Sequence, residues 1–362
     1  MKIVADDRIP YLKGALENFA TMLYKPGADI NSEDLKDADA LIIRTRTKVN
    51  EALLANSKVK LVMTATIGYD HIDTEFLAKA GIKWLNCPGC NAGSVATYLA
   101  SIIAHRMQSE AYKPEGKTFG IIGHGNVGKR VELVARSFGM NVLITDPLLA
   151  ALNKASNYQS LDKVLENSDF ITIHVPYTES GEHATAYMIN EKSLSKMKKG
   201  AYIINSSRGG IIQEDDLKKE LKNKRLKAVL DVWENEPNID LELMQLCELA
   251  TSHIAGYSVD GKANGTTRSV NHIAEDFGLD LHNWSAENLP KSDLVIEVEE
   301  GANGLIKAVK EVYDINDDNN NLKNDPNSFE HLRGTYKPRR DLREIKFVGD
   351  EINSQKLSKA MS

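Results

Sequence analysis

FGIIGHGNVG, residues 119–128, is the stretch that decides how this chain folds. Phe119–Ile122 is an apolar run of strand character, and the glycines that follow stand in G-x-G-x-x-G spacing at 123, 125 and 128. In such a turn the first glycine permits the tight reversal and the second lets backbone approach a pyrophosphate. The third lets the next helix lie close to the sheet. That helix, carrying Val127, Val131, Val134 and Phe138, offers free N–H groups and the positive end of its dipole to an anion. A second strand, Asn141–Thr145, ends at Asp146, whose carboxylate suits the ribose hydroxyls of NAD and repels a 2′-phosphate. A lone glycine pattern is weak, and an ordinary helix-entry loop would explain it. It would not explain strand, glycines, helix, strand and acid in one register, which predict a dinucleotide site with NAD as cofactor.

Outward from this motif the chain alternates strand and helix. Upstream, strands are expected at Lys2–Ala5, Ala40–Arg44, Val59–Thr64 and Ile82–Leu85, with a helix around Tyr11–Leu23. A long apolar helix, Ser94–Met107, leads into the glycine motif. Downstream, strands are expected at Phe170–Val175, Tyr202–Asn205, Ala228–Val232 and Ala250–His253. Their near-continuous apolar character suits parallel sheets covered on both faces. The fold class read from this pattern is α/β: two Rossmann-like parallel-sheet domains, followed by a small α+β C-terminal domain. In the tail, Asp293–Glu299 alternates like a strand and Gly304–Tyr313 reads as a helix, while Asp314–Asn327 is so polar that it predicts a loop. Six cations then fall between Arg333 and Lys346: Arg333, Lys337, Arg339, Arg340, Arg343 and Lys346.

Composition narrows the class of function. A net charge of −6 over 362 residues argues against a nucleic-acid surface. No apolar run approaches the roughly 18 residues of a membrane span, and the opening MKIVADDRIP lacks the regions of a signal peptide. Three cysteines, Cys87, Cys90 and Cys247, cannot build a disulfide framework. Cys87 and Cys90 form a CxxC without a second ligand pair, so no metal site is expected. The cytoplasm is the expected compartment.

Ligands of parallel sheets bind beyond the carboxyl ends of the strands, which directs attention to Asp146, Pro176, Ser206–Arg208, Asp231–Glu236 and His253–Tyr257. Oxidising a hydroxy acid requires a base for the hydroxyl proton, a cation for the carboxylate and forming carbonyl, and a hydride acceptor. Histidine titrates nearest working pH, and arginine's planar fork matches a 2-hydroxy carboxylate as lysine does not. Taken singly, a histidine ending a strand is usually a satisfied, half-buried residue, and an Arg-Gly after a strand is usually a turn. Together on the sheet edge of the glycine motif, they are better explained by a site.

NSSRG, DVWENEP and SHIAGYS, downstream of GHGNVG, resemble the D-isomer-specific 2-hydroxyacid dehydrogenase family over about residues 1–285. That resemblance implies a catalytic set of Arg208, Glu236 and His253, with Glu234 a non-catalytic neighbour. It implies NAD contacts from Gly123, Gly125, Asn126, Val127, Gly128, Asp146, Val175, Ser206, Ser207, Arg208, Asp231 and Gly256. It also implies a substrate-binding domain of 1–92 and 257–285 and an NAD-binding domain of 93–256. Further segments, VADDRIPY, RTRTKVN, TATIGYDHID, CPGCNAGSVATY, HIAGYSVDGKANGTT and FEHLRGTYKPRRDL, resemble one branch of the family. Its members act on a phosphorylated 2-hydroxy acid and form homodimers through a C-terminal domain, here 286–362. The branch implies substrate contacts from Thr45, Thr66 and Tyr257. The basic run is then expected to bring Arg339 or Arg340 to the phosphate in a neighbouring subunit. Departures from the branch are Asn264 where a basic residue is usual, Thr97 for glutamate and Ser207 for cysteine. Another member of the same family, or an NAD(H)-sensing binding protein on the same fold, remains open at this point.

Overall fold

The apolar runs become parallel strands of two separate sheets. The computed structural model describes residues 1–108, 112–152, 157–290 and 294–361. The chain divides into two compact units: Met1–Asn91 with the stretch beginning at Ser258, and Ala92–Tyr257 with the C-terminal residues from Leu294 onward. The tail read from sequence as a separate small domain therefore clusters with the second unit.

In the first unit, β1 (Lys2–Asp6), β2 (Thr21–Lys25), β3 (Ala40–Ile43), β4 (Leu61–Thr64) and β5 (Lys83–Leu85) form a parallel sheet in the order β2-β1-β3-β4-β5. β3 and β4 are buried along their whole length, as strands covered on both faces must be. The helix expected around Tyr11–Leu23 does not form. Tyr11 (φ 63°) and Gly14 (φ 91°) leave the right-handed region, and short turns such as Ala15 N–H to Leu12 C=O (3.1 Å) replace helical bonds. Leu12 and Leu16 are buried from those turns, and the segment ends in β2, a half-exposed edge strand. The helix Val259–Phe277 completes this unit. Ser258 caps it, accepting from Gly261 N–H at 2.8 Å. Burial pushes the Cys87 thiol up to about 11, and Cys87 Sγ lies 3.2 Å from the Gly265 carbonyl that accepts from it. That thiol is a packing group at neutral pH.

In the second unit, β6 (Thr118–Ile122), β7 (Asn141–Thr145), β8 (Phe170–Ile173), β9 (Tyr202–Asn205), β10 (Lys227–Leu230) and β11 (Leu249–Ala250) form a parallel sheet in the order β11-β10-β9-β8-β6-β7. Chain direction across the sheet reverses between β6 and β8, the switch point at which such sheets bind ligands. Phe119, Phe170 and Tyr202 stack across β6, β8 and β9 with centroids 5.7 and 4.7 Å apart. Such pairs add about 0.5–1.5 kcal/mol each beyond their buried area. The nearly wholly buried helix Ala92–Met107 packs between the helix Asn126–Ser137 and the tail helix Gly301–Val312.

The tail closes on itself through β12 (Val295–Val298) and β13 (Lys346–Gly349), a parallel pair. Asp314–Asn327 is not the expected loop: Ile315–Asn324 is a helix. Asp314 caps it, and Ile315, Asn319 and Leu322 form its buried face. The decisive group is Asn319, whose Oδ1 accepts the Ala250 N–H at 2.9 Å on the edge strand β11. A polar side chain there is satisfied by sheet backbone, which hydrophobic periodicity does not register. No helix among the described residues is long and apolar enough to cross a membrane.

Candidate active site

The glycine loop leaves β6 as its spacing requires. Gly123 sits at φ 90°, where a Cβ would lie 2.4 Å from the His174 carbonyl oxygen. A Cβ on Gly128 would fall 2.1 Å from the Gly123 carbonyl oxygen, so the helix Asn126–Ser137 approaches only because position 128 is bare. A Cβ on Gly125 would meet nothing within 4 Å among the described residues. Gly125 is also the helix N-cap and makes no side-chain bond to the first turn. Asn126 and Val127 open that helix. An open cradle at a helix start fits a pyrophosphate. Asp146 follows β7, and its two oxygens accept the N–H groups of His124 (2.8 Å) and Leu149 (3.0 Å). The acid therefore holds the glycine loop to the β7 end and keeps lone pairs for a ribose. Val175 lies two residues past β8 and packs beside Gly123.

Past β9, Asn205 braces the turn that carries Arg208. Its Oδ1 accepts from Ser207 N–H (3.1 Å) and Ser207 Oγ (2.8 Å), and its Nδ2 donates to the Arg208 carbonyl (2.8 Å). Arg208 Nη1 donates to the Ser207 carbonyl at 2.7 Å. Ser206 Oγ is buried without a hydrogen-bond partner among the described residues, as suits a group awaiting a ligand.

Past β10 and β11 the two remaining segments interlock. His253 Nδ1 lies 2.7 Å from Glu236 Oε2, and Glu236 Oε1 accepts the Trp233 N–H at 3.0 Å. Burial would push the Glu236 carboxyl up, but the His253 hydrogen bond and charge, the Trp233 N–H and the Arg333 guanidinium together hold it below the usual carboxylate value. With Nδ1 committed to Glu236, Nε2 is the ring nitrogen left to exchange a proton with a substrate. Glu234 turns to Glu214 instead: its Oε1 accepts the Glu214 N–H at 3.4 Å, and its own N–H donates to Glu214 Oε1 at 2.7 Å.

His253 itself is at φ 57°, a left-handed conformation that a histidine adopts only when its surroundings over-determine it. Asp231, 1% exposed, accepts the Ile254 N–H (2.7 Å) at Oδ1 and the Ala255 N–H (2.9 Å) at Oδ2. Its Oδ1 also takes the Thr251 hydroxyl (2.7 Å). Arg339 of the tail holds the same stretch from the carbonyl side, donating to the carbonyls of Ile254 (3.4 Å) and Ala255 (2.9 Å). The Ile254–Ala255 peptide thus lies between a buried anion at its N–H and a buried cation at its C=O, and the peptides on either side of it are each held at one end. The guanidinium is packed 3.9 Å from the Tyr313 ring centroid and hydrogen-bonded to Tyr336 (2.7 Å).

This placement corrects one expectation. Arg339, 9% exposed, is enclosed within its own chain and is no ligand for a phosphate in another subunit. Arg340 pairs with Glu344 at 3.7 Å. Asn205 was not foreseen as part of the site, and Arg339 was expected as a phosphate ligand rather than as a clamp on the backbone after His253. In the first unit, Thr45 is exposed just beyond β3, and Thr66 bonds Thr64 (2.7 Å) and the Gly68 carbonyl (3.2 Å). Asn264 donates to the Cys90 carbonyl at 3.2 Å. In the second, Gly256 and Tyr257 follow the clamped peptides, with the Tyr257 ring edge-on to Tyr336. Thr97 accepts the Leu342 N–H at 3.0 Å, so a tail residue docks where the branch usually has glutamate.

Residues 95–255 match the model of the D-isomer specific 2-hydroxyacid dehydrogenase NAD binding domain. An erythronate-4-phosphate dehydrogenase of Bacteroides thetaiotaomicron is 43% identical over 96% of this chain and 99% of its own length. One of Pseudomonas putida is 36% identical over 94% of this chain and 93% of its own. Among solved structures, the D-lactate dehydrogenase of Aquifex aeolicus complexed with NAD and lactic acid has a TM-score of 0.62 at 28% identity. It covers 77% of this chain and 96% of its own. With the glycine cradle, the strand-end acid and the His253–Glu236 pair on one sheet edge, these likenesses have one reading: the chain is an NAD-dependent dehydrogenase and belongs to the D-isomer-specific 2-hydroxyacid dehydrogenase family, alongside the erythronate-4-phosphate dehydrogenases.

Proposed function

We propose that this enzyme oxidises the C2 hydroxyl of 4-phospho-D-erythronate to 2-oxo-3-hydroxy-4-phosphobutanoate, a step toward pyridoxal phosphate. The observation that carries the chemistry is the 2.7 Å contact between His253 and Glu236 beyond the strand ends. His253 Nε2 takes the hydroxyl proton while Glu236, kept ionised, stabilises the imidazolium that results. Arg208 binds the substrate carboxylate and the oxygen that becomes the carbonyl. The Gly123–Gly128 cradle and Asp146 would hold NAD, whose nicotinamide would supply the hydride acceptor when bound. Ser206, Ser207, Val175, Asp231 and Gly256 complete its surroundings, and Thr45, Thr66 and Tyr257 contact substrate. The choice of a phosphorylated substrate rests on the names of relatives matched over nearly the whole chain.

We read the enzyme as a cytoplasmic homodimer assembled through its tail. Val295 (53% exposed) and Val348 (36%) lie on one face of the β12–β13 pair, and Leu294 (43%) and Ile352 (67%) are also exposed in that part of the tail. The decisive experiment supplies purified protein with NAD and 4-phospho-D-erythronate, D-3-phosphoglycerate or D-lactate, with and without 2-oxoglutarate as electron acceptor. Turnover is expected to favour phosphoerythronate by at least tenfold in kcat/KM. A preference for another hydroxy acid would reassign the substrate, and sedimentation as a monomer would remove the dimer.

A further inference from the structure

The short helix Phe329–Gly334 brings one more charge to the chemistry. Phe329 anchors it, 1% exposed, in the core beneath the six-stranded sheet. Arg333, on the next turn, places Nη1 3.8 Å from Glu236 Oε2, the same oxygen that meets His253. The contact is ionic and too long for a hydrogen bond. Arg333 is 17% exposed along its side chain, and its Nε is buried with no partner among the described residues. A guanidinium that only decorated a surface would be solvated; this one is partly desolvated and turned toward one carboxylate oxygen.

We propose that Arg333 is a positioning residue of the reaction, setting the pH at which the Glu236–His253 pair gains and loses its proton. The inference rests on the dehydrogenase reading above but not on the identity of the substrate. Without Arg333 the pair carries one negative charge with His253 neutral, and none when His253 is protonated. A nearby fixed cation makes the protonated state costlier, so the base form persists to lower pH. Among the described residues, the charged groups nearest the pair have partners of their own. Glu234 Oε1 takes the Glu214 N–H, Asp231 is occupied by Thr251 and two peptide N–H groups, Arg208 donates to the Ser207 carbonyl, and Arg339 grips carbonyls beyond His253. Arg333 is the tail cation that faces Glu236.

The test compares Arg333→Gln and Arg333→Lys with the parent enzyme. Because one group accepts the proton in oxidation and donates it in reduction, a single change must move two limbs together. In Arg333→Gln the acid limb of kcat/KM for oxidation and the alkaline limb for reduction should both rise by about half a unit to one unit. Arg333→Lys should restore most of the shift. A purely structural role would lower rates at every pH and leave both limbs in place, which would overturn the proposal. An NMR titration of the His253 ring, assigned through His253→Asn, needs no substrate. A midpoint raised in Arg333→Gln supports the proposal even if the substrate assignment fails, and an unmoved midpoint in a folded variant refutes it while leaving the dehydrogenase reading intact.

Discussion

Each unit contains a fully buried aspartate at the carboxyl end of a parallel strand, and the two are used in opposite ways. Asp6, 0% exposed at the end of β1, meets Arg44 through both oxygens, at 3.1 and 3.2 Å, and takes the Arg8 N–H at 2.9 Å. Asp231, just past β10, takes only neutral donors, two of them consecutive peptide N–H groups. The first aims a side chain; the second shapes a backbone. A bidentate arginine is half-solvated and can relax toward water when its partner is lost, whereas buried peptide N–H groups cannot. The same residue in the same topological place thus gives an adjustable cation in one sheet and a rigid turn in the other.

That contrast is easiest to break by truncating both. Asp231→Ala should cost about 3–5 kcal/mol of stability, because it strands three buried donors and releases the left-handed His253. Asp6→Ala should cost about 1–2 kcal/mol, since Arg44 is 31% exposed and finds solvent. Chemical denaturation of the two variants decides it, and equal losses would mean that the partner's nature does not matter. The next effect is on rate. His253→Asn and Arg208→Lys should each lose at least ~10²-fold in kcat while keeping the melting temperature within a few degrees, the rigid turn being unaltered. A His253 variant with near-normal turnover would sink the mechanism.

A smaller effect sharpens the comparison at a third strand-end acid. Asp146, which braces the His124 N–H of the glycine loop and is proposed to meet the ribose, should discriminate by charge: Asp146→Ala is expected to narrow the preference for NAD over NADP by about tenfold. Equal use of both by the parent enzyme would contradict this. The smallest effect concerns Glu214, beside the loop that carries Glu236. Burial, joined by the Glu234 charge and opposed by the Glu234 N–H, pushes its carboxyl up to about 7. A carboxyl raised in the folded state contributes stability at low pH that is lost as pH rises through the folded value. Glu214→Gln should therefore flatten the decline in melting temperature between pH 5 and pH 8, by the equivalent of about 1 kcal/mol. A parent enzyme equally stable across that range would refute the assignment.

The two sheets were legible because their strands are short apolar runs bounded by turn residues, and the cofactor loop because Gly123 and Gly128 each have a steric reason and Gly125 leaves the cradle open. β2 was not: as a half-exposed edge it lacks the apolar signal of β3 and β4, and its first residues fall within the range Tyr11–Leu23 read as helix. Ile315–Asn324 was hidden by composition, since its middle buried residue is an asparagine satisfied by Ala250. In the site, the residues at strand ends could be named from the chain alone. Arg339 could not, because what distinguishes it from the other cations of its run is burial against Tyr313 and two carbonyls 84 and 85 residues away in sequence. Sequence marks groups that react more readily than groups that hold them.

The C-terminal helix Glu351–Met361 packs against Asn126–Ser137, with Leu357 and Ala360 in the same core as Val131, Val134 and Ala135. The helix that follows the glycine loop is therefore among the earlier parts of the second unit to leave the ribosome, and this cover comes much later. Between the two come more than two hundred residues, at about 5–20 residues per second of synthesis. Ala92–Met107 is already made by then, but the face of Asn126–Ser137 that Glu351–Met361 covers stays bare until those residues follow. A nascent chain of this enzyme thus makes its glycine loop long before the helix behind it is fully packed, so loss of the turns that carry Leu357 and Ala360 would be felt at the start of that helix, beside the loop.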